Sequence, residues 1–398
     1  MSTIKVDEIF GDQPTDAVDL PNKLKIGGAS VEQGYTASGS EPSSPSNGDY
    51  WWDSTNDKLY KYMDSEFKEL GVAAGGIFYG DRGVFGSGNA DPNGPSGNAA
   101  SQIDYININT TGNGTDFGNM NQHQNSINFQ CAISNGTTVV IAEQSTNAGS
   151  SNNWQFLSQI TTATTGNATT FGDAYHYKYG NAGASNGTIG LFGGGYGRPG
   201  SNSGATAGNL DVLEYITIAT AGNAVNWGGN LSSVRSVNVG ISNANKALFA
   251  GGWVSGSSYY GDLVQSTQID AFTWTTGSSA TDFGDLLAST IEGASCQSDT
   301  RGIIAGGNPD YDFSNNVNVI QYVTIDTPGN AADFGDLSST RSRFAGASNL
   351  TRGVFGGGIT SQTNTMEYIT IASTGNVTDF GDLQNTHSRA FGSSGSAS

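Results

Sequence analysis

The phrase MEYITIASTGNVTDFGDL, residues 366–383, is the last of six related phrases that decide the fold. Each phrase joins a strand-like run of β-branched and aromatic residues to a short glycine turn, and it ends on an aromatic residue followed by glycine. The earlier copies read IDYININTTGNGTDFGNM from 103, FLSQITTATTGNATTFGDA from 156, LEYITIATAGNAVNWGGNL from 213, IDAFTWTTGSSATDFGDL from 269 and IQYVTIDTPGNAADFGDL from 320. One such unit cannot bury its own apolar face, so the copies must pack against one another.

The spacing of the repeats predicts a β-propeller. The turn glycines are Gly112, Gly166, Gly222, Gly277, Gly329 and Gly375. Their period of about 50 residues resembles that of kelch-type blades more than the shorter WD40 blades. One complete unit, 341–383, reads as four strands, and a glycine doublet ends the second strand as in kelch repeats. In most repeats Phe stands where kelch repeats usually have Trp. The prediction is an all-β, six-bladed, kelch-like propeller over residues 82–398.

The two ends of the repeat region are out of phase with the four-strand unit. The chain enters the repeats on a second strand, RGVFGSG from Arg82, and leaves on a first strand, SRAFGSSGS from Ser388. The C-terminal strand is therefore predicted to complete the first blade. This closure would remove two exposed sheet edges.

The region before the propeller divides by composition into three segments. Residues 1–34 form a β-rich segment, and residues 35–49 are rich in Ser, Pro and Gly, which is typical of a linker. Residues 50–81 read as a small β-meander followed by a connector. Such a meander is only marginally stable on its own.

Composition and charge exclude several classes of function. The 398 residues carry a formal net charge of −19 and few Lys or Arg clusters, so binding to nucleic acid or to an anionic membrane surface is disfavoured. No apolar run is long enough to span a membrane. The two cysteines, Cys131 and Cys296, occupy the same strand position three blades apart. This separation predicts two buried free thiols.

Residues that could carry chemistry recur from repeat to repeat, whereas a catalytic pair occurs once. The histidines lack the spacing of metal ligands, and no metal or cofactor is expected. The acids in the third strand of each repeat predict turn caps; they include Asp104, Glu214 and Glu367. The arginines in the connections between blades predict a solvated rim; these are Arg235, Arg341 and Arg389. No enzymatic activity is predicted.

The connections between the second and third strands vary in length and sequence, and they carry aromatic residues among Ser, Asn and Gly. Such surfaces suit the recognition of glycans or proteins. The predicted receptor-binding residues are Tyr196, Trp253, Tyr259, Tyr260, Asp310, Tyr311, Asp312 and Phe313. Two alternatives stay open: the aromatic side chains pack on their own blades, or the acidic loop 308–313 is simply solvated and binds no cation or sugar.

The opening MSTIKVDEIF, the segment 35–62 and the GNATDFGDL-like phrases resemble structural fibre proteins of marine tailed phages, particularly cyanophages. The resemblance implies a virion protein that residues 1–70 attach to other virion proteins, commonly as a homotrimer. It also implies a propeller that binds polysaccharide or protein on the host surface. The alternative is a capsid or tail decoration protein with an architectural role, because a fold does not fix a function.

Overall fold

The structure is a computed structural model. The chain consists of two compact units, Met1–Ala74 and Gly75–Ser398. The structure describes residues 25–26, 29–30, 35–38, 40–44, 49–53, 58–63, 66–69, 80–86, 88, 101–121, 131–144, 155–198, 207–254, 264–310, 315–359 and 363–396. No described residue belongs to an α-helix.

The first unit contains two small sheets. Strands β1 (Lys25–Ile26) and β2 (Ala29–Ser30) form an antiparallel pair. The second sheet contains β3 (Tyr35–Ser38), β4 (Tyr50–Asp53), β5 (Lys58–Met63) and β6 (Glu66–Glu69) in that order. Strand β3 runs parallel to β4, so part of the segment predicted as a linker is a strand. The Trp51 indole is buried and donates a hydrogen bond to the Ser38 carbonyl at 3.1 Å, which fixes this pairing.

The second unit is the predicted six-bladed propeller. Each blade is an antiparallel sheet of four strands that follow one another outward from the centre of the ring, and blade 3 has two further short strands. Blade 1 contains β7 (Arg82–Gly86), β8 (Gln102–Asn107) and β9 (Thr115–Asn119); blade 2 contains β10 (Cys131–Ser134), β11 (Thr138–Gln144), β12 (Gln155–Thr161) and β13 (Thr169–Asp173). Blade 3 contains β14 (Tyr177–Tyr179), β15 (Ala182–Ser185), β16 (Ile189–Gly193), β17 (Tyr196–Arg198), β18 (Gly208–Thr217) and β19 (Val225–Arg235).

The remaining blades keep the four-strand pattern. Blade 4 contains β20 (Val239–Ser242), β21 (Lys246–Ala250), β22 (Gln268–Thr273) and β23 (Thr281–Asp285). Blade 5 contains β24 (Ala294–Gln297), β25 (Arg301–Ala305), β26 (Val319–Thr324) and β27 (Ala332–Asp336). Blade 6 contains β28 (Ala345–Ser348), β29 (Arg352–Gly356), β30 (Thr365–Thr370) and β31 (Thr378–Asp382).

The C-terminal strand β32 (Phe391–Gly395) closes the ring, as predicted. It pairs with β7 in antiparallel register, from Phe391 opposite Gly86 to Gly395 opposite Arg82. The Phe391 ring is buried in an apolar cluster with Val84 and Ile103 of blade 1 and with side chains of blade 2. The two ends of the propeller are therefore held together by both a strand ladder and a core.

Apolar layers between neighbouring blades form the core. Between blades 6 and 1, for example, Phe85 and Ile106 pack with Val354, Met366 and Phe380. Burying each of these side chains contributes about 1.5–3 kcal/mol. Because every layer contains side chains of two blades, the apolar positions of the repeat stabilise the neighbouring blade as well as their own sheet.

At the outer edge, the recurring Gly-Asn turn hydrogen-bonds to the preceding blade. Gly166 of blade 2 donates its N–H to the Phe117 carbonyl of blade 1 at 2.7 Å, and the Asn167 side chain accepts the Asn119 N–H at 3.0 Å. The turn of blade 1 binds blade 6 in the same way, through the Gly112 N–H and the Phe380 carbonyl at 2.8 Å. The constant phrase is therefore a connector between blades.

Small residues on the innermost strands leave two narrow cavities along the axis, of about 90 and about 110 Å³. An added Cβ on Gly240 of blade 4 would clash with the carbonyl group of Gly183 in blade 3. Serine hydroxyls join the strands across the blades; Ser295, for example, donates to the Gly240 carbonyl at 2.8 Å. The described part of the channel is thus a packed axis with little room for a ligand.

Both cysteines are free, and Cys296 is buried, as predicted, whereas Cys131 is only half-buried. The prediction that they share one strand position was wrong, because Cys131 is the first residue of β10 and Cys296 is the third residue of β24. Burial raises the pKa of the Cys131 thiol to about 12, and it also raises the pKa of Cys296. Since the thiolate is the reactive form, we expect neither thiol to react with iodoacetamide at pH 8 in the folded protein. Mass spectrometry should find two labels per chain only after denaturation; rapid native labelling of Cys296 would contradict this expectation.

Candidate binding face

The two faces of the propeller differ in how regular their connections are. We number the strands of a blade from the centre of the ring outward. On one face, called the turn face, the first and second strands are joined by three residues in blades 2–6, and the third and fourth strands by seven residues in every blade. On the opposite face, called the loop face, the connections between strands 2 and 3 range from residues 357–364 in blade 6 to residues 251–267 in blade 4. Variation in length is therefore confined to the loop face.

The loop face also carries the connections that lead from strand 4 to the next blade, and their described parts are fastened by buried polar pairs. The third strand of the blade being entered supplies one side chain, which accepts a backbone N–H of the connection. Asp270 of β22, for example, accepts the Ser232 N–H at 2.9 Å, and Glu214 of β18 accepts the Tyr175 N–H at 2.7 Å. These acids cap turns, as predicted.

The partner of the acid is a side chain on the connection itself. Arg235 is completely buried and forms an ion pair with Asp270 at 3.1 Å. Its guanidinium also donates to the carbonyl groups of Gly251 and Gln268 at 3.3 and 3.1 Å. Arg341 forms the equivalent ion pair with Glu367 in blade 6. The prediction of a solvated arginine rim was wrong for Arg235 and Arg341, since both guanidinium groups are buried and form ion pairs within the protein. Arg389 is half-buried.

The pair changes as a unit from blade to blade. Lys178 and Glu214 occupy the two positions in blade 3 and lie 3.5 Å apart, from Nζ to Oε1. In blade 5 both positions are neutral: Thr290 stands in place of the arginine and Gln321 in place of the acid, and the Gln321 side chain still accepts a backbone N–H at 2.8 Å. In blades 3 to 6, charge is thus buried at this position only together with its opposite charge.

Histidine replaces the arginine where the ring closes. His387 Nε2 lies 3.9 Å from Asp104 Oδ2, and both side chains are buried. Burial lowers the pKa of His387 to about 4 and raises the pKa of Asp104 to about 6. Both shifts favour the neutral form. His387 is therefore uncharged at neutral pH, so this joint lacks the permanent positive charge of the arginine pairs, whereas Asp104 becomes mainly neutral only below about pH 6.

Glycine doublets bring the loop face close to these connections. Gly306 has a φ of 56°, and an added Cβ would lie 2.6 Å from the Arg341 carbonyl oxygen. We expect Gly306→Ala to lower the free energy of unfolding by about 2–3 kcal/mol, because left-handed strain and the clash add. Gly329→Ala is the control, since nothing lies within 4 Å of its added Cβ. Denaturant melts that show equal losses for the two variants would contradict this assignment.

Of the eight predicted receptor residues, the structure describes three: Tyr196, Trp253 and Asp310. Trp253 is 4% exposed and its backbone bridges to Ser236 and Gln265, so it packs within its blade and offers no exposed ring; this corrects its assignment. Asp310 is exposed and accepts a hydrogen bond from the Asn315 side chain at 2.9 Å. Tyr259, Tyr260, Tyr311, Asp312 and Phe313 lie outside the described residues.

Tyr196 lies in a feature of blade 3 that the repeat did not predict. Its strand β17 pairs with β14 on one edge and with β18 on the other, so β14 and β17 form a ribbon that extends the sheet of blade 3 on the loop face. Opposite residues in this ribbon are Tyr177 and Arg198, Lys178 and Gly197, and Tyr179 and Tyr196. The available signal was the alternation in YHYKY, residues 175–179, where every second residue is tyrosine.

Two other features, a metal-binding cluster and a membrane-spanning helix, are not found among the described residues. In these ranges no three His, Cys, Asp or Glu side chains are grouped so as to hold a metal ion. Nor do the residues that can be described form a helix of the length and hydrophobicity needed to cross a membrane. The sequence matches no protein family, and no curated protein is significantly similar to it.

Proposed function

We propose that this protein is a non-catalytic binding protein whose loop face attaches to polysaccharide on a cell surface. The observation that carries the proposal is the contrast between the two faces: turns are of constant length on one face, and connections vary on the other. A rigid scaffold with variation confined to one surface is the usual arrangement of a binding site.

The internal ties of the loop face support binding rather than catalysis. The acids that recur there are buried and occupied: Asp270 and Glu367 form ion pairs with arginines, and Glu214 pairs with Lys178. A glycosidase needs two carboxylates that face a substrate. These acids instead stabilise the connections that support the variable loops.

The resemblance to phage fibre proteins supports a place for this protein on a virion, exposed on the particle. In this proposal residues 1–70 attach to other virion proteins, a homotrimer presents three loop faces, and the host surface is the target. Trimerisation would raise the avidity of weak sites without any new contact.

A decoration protein with an architectural role is the second candidate, and one observation favours it. Large apolar side chains are exposed on the loop face, among them Tyr175, Val264 and Leu287. Apolar side chains that a neighbouring virion protein covers would serve an architectural contact.

The experiment that tests the proposal is a glycan array probed with the full chain, followed by incubation of each bound glycan with the protein. We expect binding to a restricted set of polysaccharides, with no shortening of the chains over hours. Binding to no glycan would favour the decoration role. Release of shorter products would overturn the non-catalytic assignment.

A further inference from the structure

The ribbon of blade 3 has one buried and one accessible side. In paired strands, residues directly opposite each other point to the same side of the sheet. Lys178 is buried, so its side of the ribbon faces the blade. The other side carries Tyr177, Tyr179, Tyr196 and Arg198, all of them half-buried. The Tyr179 and Tyr196 rings lie 5.4 Å apart between their centres and are tilted by 48°.

Arg198 differs from Arg235 and Arg341 in its charged neighbours. Among the described residues no carboxylate forms an ion pair with Arg198; its Nε atom, like those of Arg235 and Arg341, is buried with no hydrogen-bond partner. Arg235 and Arg341, by contrast, are each paired with an acid of the third strand. A half-buried guanidinium that no described carboxylate pairs with can bind a ligand carboxylate in bidentate geometry.

We propose that this ribbon surface, composed of Tyr177, Tyr179, Tyr196 and Arg198, binds an oligosaccharide that carries a uronic acid. The tyrosine rings would stack on sugar rings, which expose apolar C–H faces, and Arg198 would bind the single carboxylate. The inference rests on the proposed binding role of the loop face and names the class of sugar. The net charge of −19 favours an occupant with isolated carboxylates among neutral sugars over a densely charged polyanion.

The test compares two probes by calorimetry with the full chain: xylotetraose with one glucuronic acid branch, and unsubstituted xylotetraose. We expect the wild type to bind the acidic probe about tenfold more tightly, because charged hydrogen bonds contribute more than neutral ones. Arg198→Gln should remove that preference and leave the neutral probe unaffected. Tyr179→Ala should weaken both probes.

Lys246→Gln is the control, because it removes one positive charge on the turn face and should leave the preference intact. An Arg198→Gln variant that keeps the wild-type preference overturns the inference. So does a wild type that binds other glycans on the array but neither probe, or both probes equally, and this result leaves the proposed function standing. Absence of binding to any glycan overturns both. Thermal melts of each variant identify losses caused by misfolding.

Discussion

A chain that ends at His387 is expected to aggregate and to lose its cooperative unfolding transition. The truncation removes β32, which is the innermost strand of blade 1, and exposes the edge of β7 over five residues. It also removes Phe391, which is buried between blades 1 and 2. An open ring with an unpaired edge and an exposed apolar layer is prone to association between chains.

A chain that ends at Ser396 is the control, because it keeps the whole of β32. Calorimetry and light scattering should show a monodisperse control with one sharp transition, and an aggregating variant without one. Equal melting temperatures for the two truncated chains would contradict closure by the C-terminal strand.

The second large effect is expected from Glu367→Gln. The substitution leaves the buried guanidinium of Arg341 without its counter-charge, and breaking a buried ion pair in this way costs about 3–5 kcal/mol. Chemical denaturation should show a loss of this size. The Arg341→Thr and Glu367→Gln double variant recreates the neutral pair that blade 5 has at Thr290 and Gln321, so it should recover much of the stability.

The double-mutant cycle separates the pair from its surroundings, because the two side chains contact each other directly. A double variant less stable than Glu367→Gln alone would show that the arginine contributes mainly through its bonds to the Gly357 and Thr365 carbonyl groups. If Glu367→Gln unfolds with the same free energy as the wild type, the ion pair does not stabilise the connection between blades, which would contradict this account.

The propeller could be predicted because its signals repeat. The aromatic positions and the glycine turn recur in each copy, so aligning the copies gives the number of blades. The first and last strands complement each other, which predicts the closing strand. The function of a repeated polar residue is harder to predict. Arg235 and Arg341 recur like surface residues, and their burial depends on acids about 30 residues away in the third strand.

The loop face could be located but not described from the sequence, because its residues do not repeat. Trp253 lies in a variable connection like the other predicted aromatic residues. It is nevertheless buried, and its backbone forms β-bridges to Ser236 and Gln265. Tyr177 and Arg198 were missed because their pairing joins a connection between blades to a loop within one blade. Only the register of β14 with β17 puts the two on one surface.

The most direct test of the loop face as the binding surface is to block each face in turn. Val264 is 57% exposed on the loop face and Leu350 is 52% exposed on the turn face, so each can be replaced by cysteine and coupled to polyethylene glycol in the native state, where the natural thiols are protected. Binding to the glycans found on the array is then measured for the two conjugates. The account predicts that the Val264→Cys conjugate no longer binds and that the Leu350→Cys conjugate binds like the wild type. Loss of binding only when the turn face is blocked would contradict it.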